Sequence, residues 1–118
     1  MLFPREEKLI KIAFNWQEVI RWINKKIIKT KRKYENKREY NSKVYVERVN
    51  EEWIDIVYTT FIDKNGKLKT KESRRRIEAN CVPANIQQML DKECFEITEE
   101  IKNEVQLISS KTDLDMEE

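Results

Sequence analysis

The chain's one glycine, Gly66, closes the tetrapeptide Asp63-Lys64-Asn65-Gly66, and that tetrapeptide joins two strand-like runs of opposite character. Trp53 to Ile62 (WIDIVYTTFI) is apolar at alternate and intervening positions alike, as a strand in the middle of a sheet reads. Lys67 to Ile77 (KLKTKESRRRI) carries six Lys or Arg. Asp63 in the first turn position and Gly66 in the fourth match a type I turn ending in a left-handed glycine, which gives a three-residue hairpin with a glycine bulge. A two-residue Asn-Gly turn is the competitor and shifts the register by one, so that every side chain of the second strand changes face.

With the bulge, Ile62 opposes Leu68 and Thr60 opposes Thr70, on the side that carries Ile54, Ile56 and Tyr58. Trp53, Asp55, Val57, Thr59 and Phe61 then share the other side with Ile77, Arg75, Ser73, Lys71 and Lys69. Aromatic rings interleaved with cations make a surface on which bases stack while ammonium and guanidinium groups neutralise phosphates. Lysine on an edge strand also protects that edge against aggregation, a purely structural use of the same residues. Arg74, Arg75 and Arg76 point alternately to opposite sides of an extended strand and serve one site only if the strand frays. Asp55 is positioned to pair with Arg75.

Before the hairpin, Leu9, Ile12, Ala13, Trp16, Val19, Ile20, Ile23 and Ile27 recur at three- and four-residue spacing, an apolar stripe of helical period. Pro4 with Glu6 and Glu7 suits a first turn. Asn15 with Glu18 resembles a capping box, which leaves two readings open: a short helix breaking into a longer one from about residue 16, or one continuous rod. Ile10, Phe14, Trp22 and Ile28, off the stripe, imply a helix covered on two sides. Residues 25–43 hold nine bases and two acids, so the helix runs on, solvated, to about residue 38. Lys43 to Val49 alternates as a strand. Beyond Pro83 the helical period returns with Ile86, Met89 and Leu90, extended by Cys94 and Phe95. A further helix follows Thr98, with Ile101, Val105 and Ile108 on one stripe.

The fold class expected is α+β: a long N-terminal amphipathic helix, a three-stranded antiparallel meander and two C-terminal helices. Residues 1–108 form a single domain and 109–118 an acidic, disordered tail.

Charge is divided along the chain. Residues 1–90 carry 21 bases and 12 acids and residues 91–118 carry 3 and 10, a balance of +9 against −7 within an overall +2. Such asymmetry points to a nucleic-acid or acidic partner, or to neutralisation of the basic part by the acidic one. The candidate binding residues are Lys25, Lys26, Lys29, Lys31, Arg32, Lys33, Lys69, Lys71, Arg74, Arg75 and Arg76, with Trp53 and Phe61 as the rings.

Catalysis is constrained by what is missing. The chain has no histidine, which removes serine and cysteine triads and imidazole metal ligands. Cys81 and Cys94, thirteen apart, make no zinc site and read as reduced thiols, with a disulfide or an intermolecular bridge as the alternative. One glycine cannot build a phosphate-cradling loop. Neither a cofactor nor a metal is expected.

The order helix, three strands, helix resembles the core of the metal-dependent nucleases that place Asp on one strand and Glu/Asp-x-Lys on the next. Asp55 and Glu72-Ser73-Arg74 stand on the corresponding strands. Arginine replaces lysine, and the bulged register turns Asp55 and Glu72 to opposite sides. The same order resembles the double-stranded-RNA-binding domain, without its glycine-rich loop or basic helix start; residues 83–92 read PANIQQMLDK.

The sequence therefore describes a small non-enzymatic binding protein of the cytoplasm, with a bacterial or phage composition and no membrane segment. Its basic surface engages DNA or RNA, or a nucleic-acid-bound complex. The alternative is an inhibitor or adaptor that binds a host nucleic-acid enzyme or defence protein. A third is a structural homodimer in which basic and acidic parts pair.

Overall fold

A computed structural model describes residues 10–35 and 39–105. The elements are β1 (Lys11–Ile12), α1 (Trp16–Tyr34), β2 (Glu39–Arg48), β3 (Trp53–Lys64), β4 (Lys67–Glu78), a 3-10 turn (Ala79–Cys81), α2 (Ala84–Gln87) and β5 (Cys94–Glu96). Residues 98–105 form a further helix, α3. The five strands make one sheet in the order β1-β4-β3-β2-β5.

This corrects the expected fold class: the fold is a mixed one on a five-stranded sheet, with the first helix starting at residue 16. β2, β3 and β4 are the antiparallel strands read from the sequence, but β1 and β5 extend them on both sides. Ile10 to Ala13 are not the start of a helix. Lys11 and Ile12 pair in parallel with Arg75 and Arg76, and the Ala13 N–H donates to the Arg76 carbonyl at 2.8 Å. The helix begins only after Asn15, whose Oδ1 accepts the Glu18 N–H at 2.9 Å, while the Glu18 carboxylate accepts the Phe14 N–H at 3.1 Å. That cap is worth about 1 kcal/mol. Cys94 and Phe95 continue no helix; they pair with Glu47 and Val46 of β2 as β5. Pro4 and the segment 109–118 lie outside the described residues.

The hairpin adopts the two-residue turn. Lys64 opposes Lys67, and Asn65 (φ 56°) and Gly66 (φ 79°) are both left-handed, the type I′ geometry whose twist matches the flanking strands. The Asp63 carboxylate accepts the Gly66 N–H at 3.1 Å. Register is therefore one residue away from the bulged form, and β4 presents the opposite set of side chains to each face.

One face holds the core. Ile54, Ile56 and Tyr58 of β3, Val44 and Val46 of β2 and Ile77 of β4 pack against Val19, Ile20, Trp22 and Ile23 of α1, with Ile86, Ile97, Ile101 and Val105 completing the cluster. Each such side chain, fully buried, stabilises the fold by about 1.5–3 kcal/mol. Of the four apolar residues off the helical stripe only Trp22 is buried, and Phe14 is 81% exposed. Val19, Ile20, Trp22 and Ile23 of α1, Ile86 of α2 and Ile101 and Val105 of α3 all join this one cluster.

Candidate phosphate and nucleic-acid interface

The corrected register decides where the cations go. Residues directly opposed on antiparallel strands share a face. Ile56 opposes Arg75, Tyr58 opposes Ser73, Thr60 opposes Lys71 and Ile62 opposes Lys69, so Lys69, Lys71 and Arg75 lie on the helix-bearing face. Asp55 opposes Arg76 and Val57 opposes Arg74, which sends those two arginines to the face with Trp53 and Phe61. The platform of rings with Lys69, Lys71 and Arg75 does not form.

On the face away from α1, Arg74 and Arg76 are engaged. Asp55, 3% exposed, accepts from Arg76 Nε at 2.8 Å and from its terminal nitrogen at 3.2 Å, so its expected partner Arg75 is replaced by Arg76. Arg74 bonds Glu47, reaches Glu72 at 3.2 Å and lies 3.5 Å from Asp55. Hydrogen bonding to Glu47 raises the pKa of Arg74 and hydrogen bonding to Asp55 raises that of Arg76. Three carboxylates thus meet two guanidiniums, and this face offers no net positive charge at its centre.

Asp55 and Glu72 do share this face, contrary to the bulged register, but both are bonded to arginine. Among the described residues no group of three or more acidic or thiol side chains is placed to hold a metal ion. Arg75 has a third role: its guanidinium carbon sits 4.7 Å from the centroid of the Trp22 ring, and burial lowers its pKa. Cation–π contact at such a site is worth about 1–2 kcal/mol.

The lysines converge elsewhere. Lys26, Lys29 and Lys33 recur at three- and four-residue spacing on α1, one helix face. That face stands over the cross-strand pairs Tyr58–Ser73 and Thr60–Lys71. Between them lies a cleft of about 160 Å³ lined by Lys26, Lys29, Lys33 and Lys71 and by Thr30, Tyr34, Tyr58, Thr60 and Ser73. Of its lining residues Tyr58 and Thr60 are 3% and 5% exposed, and Tyr58 also borders a larger neighbouring hollow with Ser42 and Val44. The Tyr58 hydroxyl donates to Ser42 Oγ at 2.7 Å and lies 3.3 Å from Thr30 Oγ1. No Asp or Glu is among the described residues that line the cleft.

Tyr34, 5% exposed, reports the field inside. Burial on its own raises a tyrosine pKa, but hydrogen bonding and charge from Lys71 and Lys33 outweigh it and hold Tyr34 below the ordinary value of 10.0. The Lys33 ammonium also stands 5.4 Å from the Tyr34 ring centroid.

Compared with known proteins, the chain matches no family model, no curated protein and no solved structure. The site is therefore read from its own chemistry.

Of the residues singled out in the sequence, the fold brings Lys26, Lys29, Lys33 and Lys71 together. Lys69 is on the same face, two positions nearer the hairpin tip. Lys25 and Arg32 are exposed on α1, and Lys31 faces Glu35 at 3.9 Å. Trp53, opposite Glu78, and Phe61, opposite Thr70, lie on the far side of the sheet, where Lys43 stands 6.0 Å from the Phe61 ring. The hydroxyls were missed. Their signal was Tyr58 and Thr60 at inward positions of an apolar strand, and Thr30 and Tyr34 four apart beside the lysines. Cys81 and Cys94 are free thiols. No described helix is long and apolar enough to cross a membrane.

Proposed function

We propose that the protein is a non-enzymatic, cytosolic nucleic-acid-binding module that holds the phosphate backbone along α1 and β4. The observation that carries this reading is the lysine cleft. Two ammonium groups about 8 Å apart near a protein surface repel by about 2 kcal/mol. A fold that collects four of them beside Thr30, Tyr34, Tyr58, Thr60 and Ser73, with no Asp or Glu among the described residues that line the hollow, supports a patch of positive potential that suits an anion. Lys25 and Arg32 on α1 and Lys69 on β4 flank the cleft in sequence and extend the positive surface for neighbouring phosphates. Arg74 and Arg76 are bonded to carboxylates of the sheet.

Binding of this kind releases counterions. With four phosphates neutralised on a single strand, log K falls against log salt with a slope of about −3. Fluorescence anisotropy with single-stranded and duplex DNA and RNA at several salt concentrations measures it. Converting Lys29, Lys33 and Lys71 together to Glu is expected to abolish binding, whereas Arg74→Glu leaves it largely intact. Binding that survives the triple reversal, or none by the native protein at low salt, overturns the reading.

A further inference from the structure

The ladder between β3 and β4 fixes which backbone groups of β4 look outward. Lys64 and Lys67 close the two-residue turn, and the pair that closes such a turn exchanges both of its hydrogen bonds, after which bonded pairs alternate along the strands. Lys69, Lys71, Ser73 and Arg75 therefore bond β3. Leu68, Thr70, Glu72, Arg74 and Arg76 turn their N–H and C=O groups to the outer edge. The Arg76 carbonyl accordingly accepts the Ala13 N–H at 2.8 Å. β1 occupies only the end of that edge, with Lys11 and Ile12 opposite Arg75 and Arg76. Among the described residues no strand pairs with the outer edge from Leu68 to Glu72, and Lys67 to Glu72 are all exposed. An open edge of this kind is a template for another strand.

The chain supplies such a strand. Residues 1–9, outside the described part, directly precede β1, which runs parallel to β4 with Lys11 at Arg75. Carried back along the same pairing, Leu9 meets Ser73 and Phe3 meets Lys67, so this length reaches the hairpin. Lys8 falls opposite Glu72 and Glu7 opposite Lys71, two pairs of opposite charge against one like pair, Arg5 with Lys69. Parity fits as well. Ala13 bonds β4 through its N–H, so odd-numbered residues of the extended strand direct their N–H groups at β4 and even-numbered ones direct theirs away. Pro4, which has no N–H to give, falls at an even position, the only kind a sheet edge allows it. It also falls beside Leu68, which is 68% exposed. A tethered segment meets the edge at an effective concentration on the order of millimolar, which favours it over a separate strand.

We propose that residues 3–9 extend β1 as a parallel strap along the outer edge of β4, back to the hairpin. The strap covers the edge, and a partner that adds a strand to β4 has to displace it. Backbone pairing alone is involved, so the strap stands or falls independently of nucleic-acid binding.

Amide hydrogen exchange of the full chain, read residue by residue by nuclear magnetic resonance, is the test. Glu7→Pro removes an N–H that faces β4, and it is expected to speed exchange of the outward Thr70 and Glu72 amides about tenfold over the native protein, the scale of one or two net hydrogen bonds. Glu6→Pro removes the same charge but an N–H that faces away, and it leaves both amides as slow as in the native chain. The inward amides of Lys69 and Lys71 stay slow in all three proteins, which reports an intact sheet. Should they open in Glu7→Pro, Arg5→Pro repeats the comparison at Thr70, one odd position nearer the hairpin.

Exchange of Thr70 and Glu72 at unstructured rates in the native protein overturns the strap whatever the variants do. So does slow exchange that the two proline variants leave equally untouched or equally abolish. Protection that disappears on dilution overturns it too, because the strand on the edge then belongs to a second copy.

Discussion

Arg76 grips Asp55 from the neighbouring strand with two guanidinium nitrogens, at 2.8 and 3.2 Å. The pair exists because β3 and β4 meet through a two-residue turn, which sets residue 55 opposite 76. It also explains the division of labour among the cations. A carboxylate at 3% exposure needs a fork of donors, which arginine provides and lysine does not. Arg76 and Arg74 are thereby fixed in the sheet, while Lys29 and Lys33 of α1 and Lys69 of β4 stand exposed.

Asp55→Ala is expected to lower stability by about 2 kcal/mol, since it removes the charge-assisted hydrogen bonds of a buried group. Arg74→Met should cost less than about 1 kcal/mol, because its partners Glu47 and Glu72 are 38% and 50% exposed and such pairs are screened by water. Urea unfolding midpoints give both values, and the order of the two costs is the check.

Gly66→Ala tests the turn. An added Cβ at Gly66 meets nothing within 4 Å, so the cost is purely that of a left-handed φ of 79°, about 1 kcal/mol. A neutral substitution in the same unfolding assay would show that the strands do not meet through this turn.

Tyr34 predicts an alkaline signature. Its folded pKa lies below 10.0, so between that pKa and about pH 10 the unfolded chain holds more protons than the folded one. Stability therefore gains a contribution as pH rises through the folded pKa, fully present above the unfolded value and lost as pH falls again. Tyr34→Phe removes that upward slope, measured as the unfolding midpoint against pH. Near-ultraviolet titration of the same pair of proteins isolates the ionisation.

Much of the local structure was legible in the residues. Asn15 and Glu18 offered the start of α1 as one of two readings, because a cap needs only four consecutive positions, while the apolar stripe running back to Leu9 equally allowed one continuous rod. β3 and β4 stood between clear turn residues, and the inward set Ile54, Ile56 and Tyr58 followed from alternation. What sequence could not carry was tertiary. Lys11 and Ile12 become a strand only because the Arg75–Arg76 edge of β4 is there to pair with, and Cys94 to Glu96 only because β2 offers its outer edge. Periodicity sees neither partner. The largest consequence came from the smallest ambiguity. Asn65-Gly66 is compatible with two turns, and the one adopted moves Lys71 from the side of the aromatic rings to the side of α1, where it meets Lys26, Lys29 and Lys33. The cleft could not be assembled on paper while that single-residue choice was open.

The most direct test of the central claim is a nuclear magnetic resonance titration of the ¹³C,¹⁵N-labelled chain with a single-stranded oligonucleotide, following lysine and tyrosine side-chain signals. The largest shifts are expected at Lys26, Lys29, Lys33, Lys71 and Tyr34, with Trp53 and Phe61 unmoved. Shifts centred on Trp53, Phe61 and Lys43, or no shifts at any ratio, would contradict it.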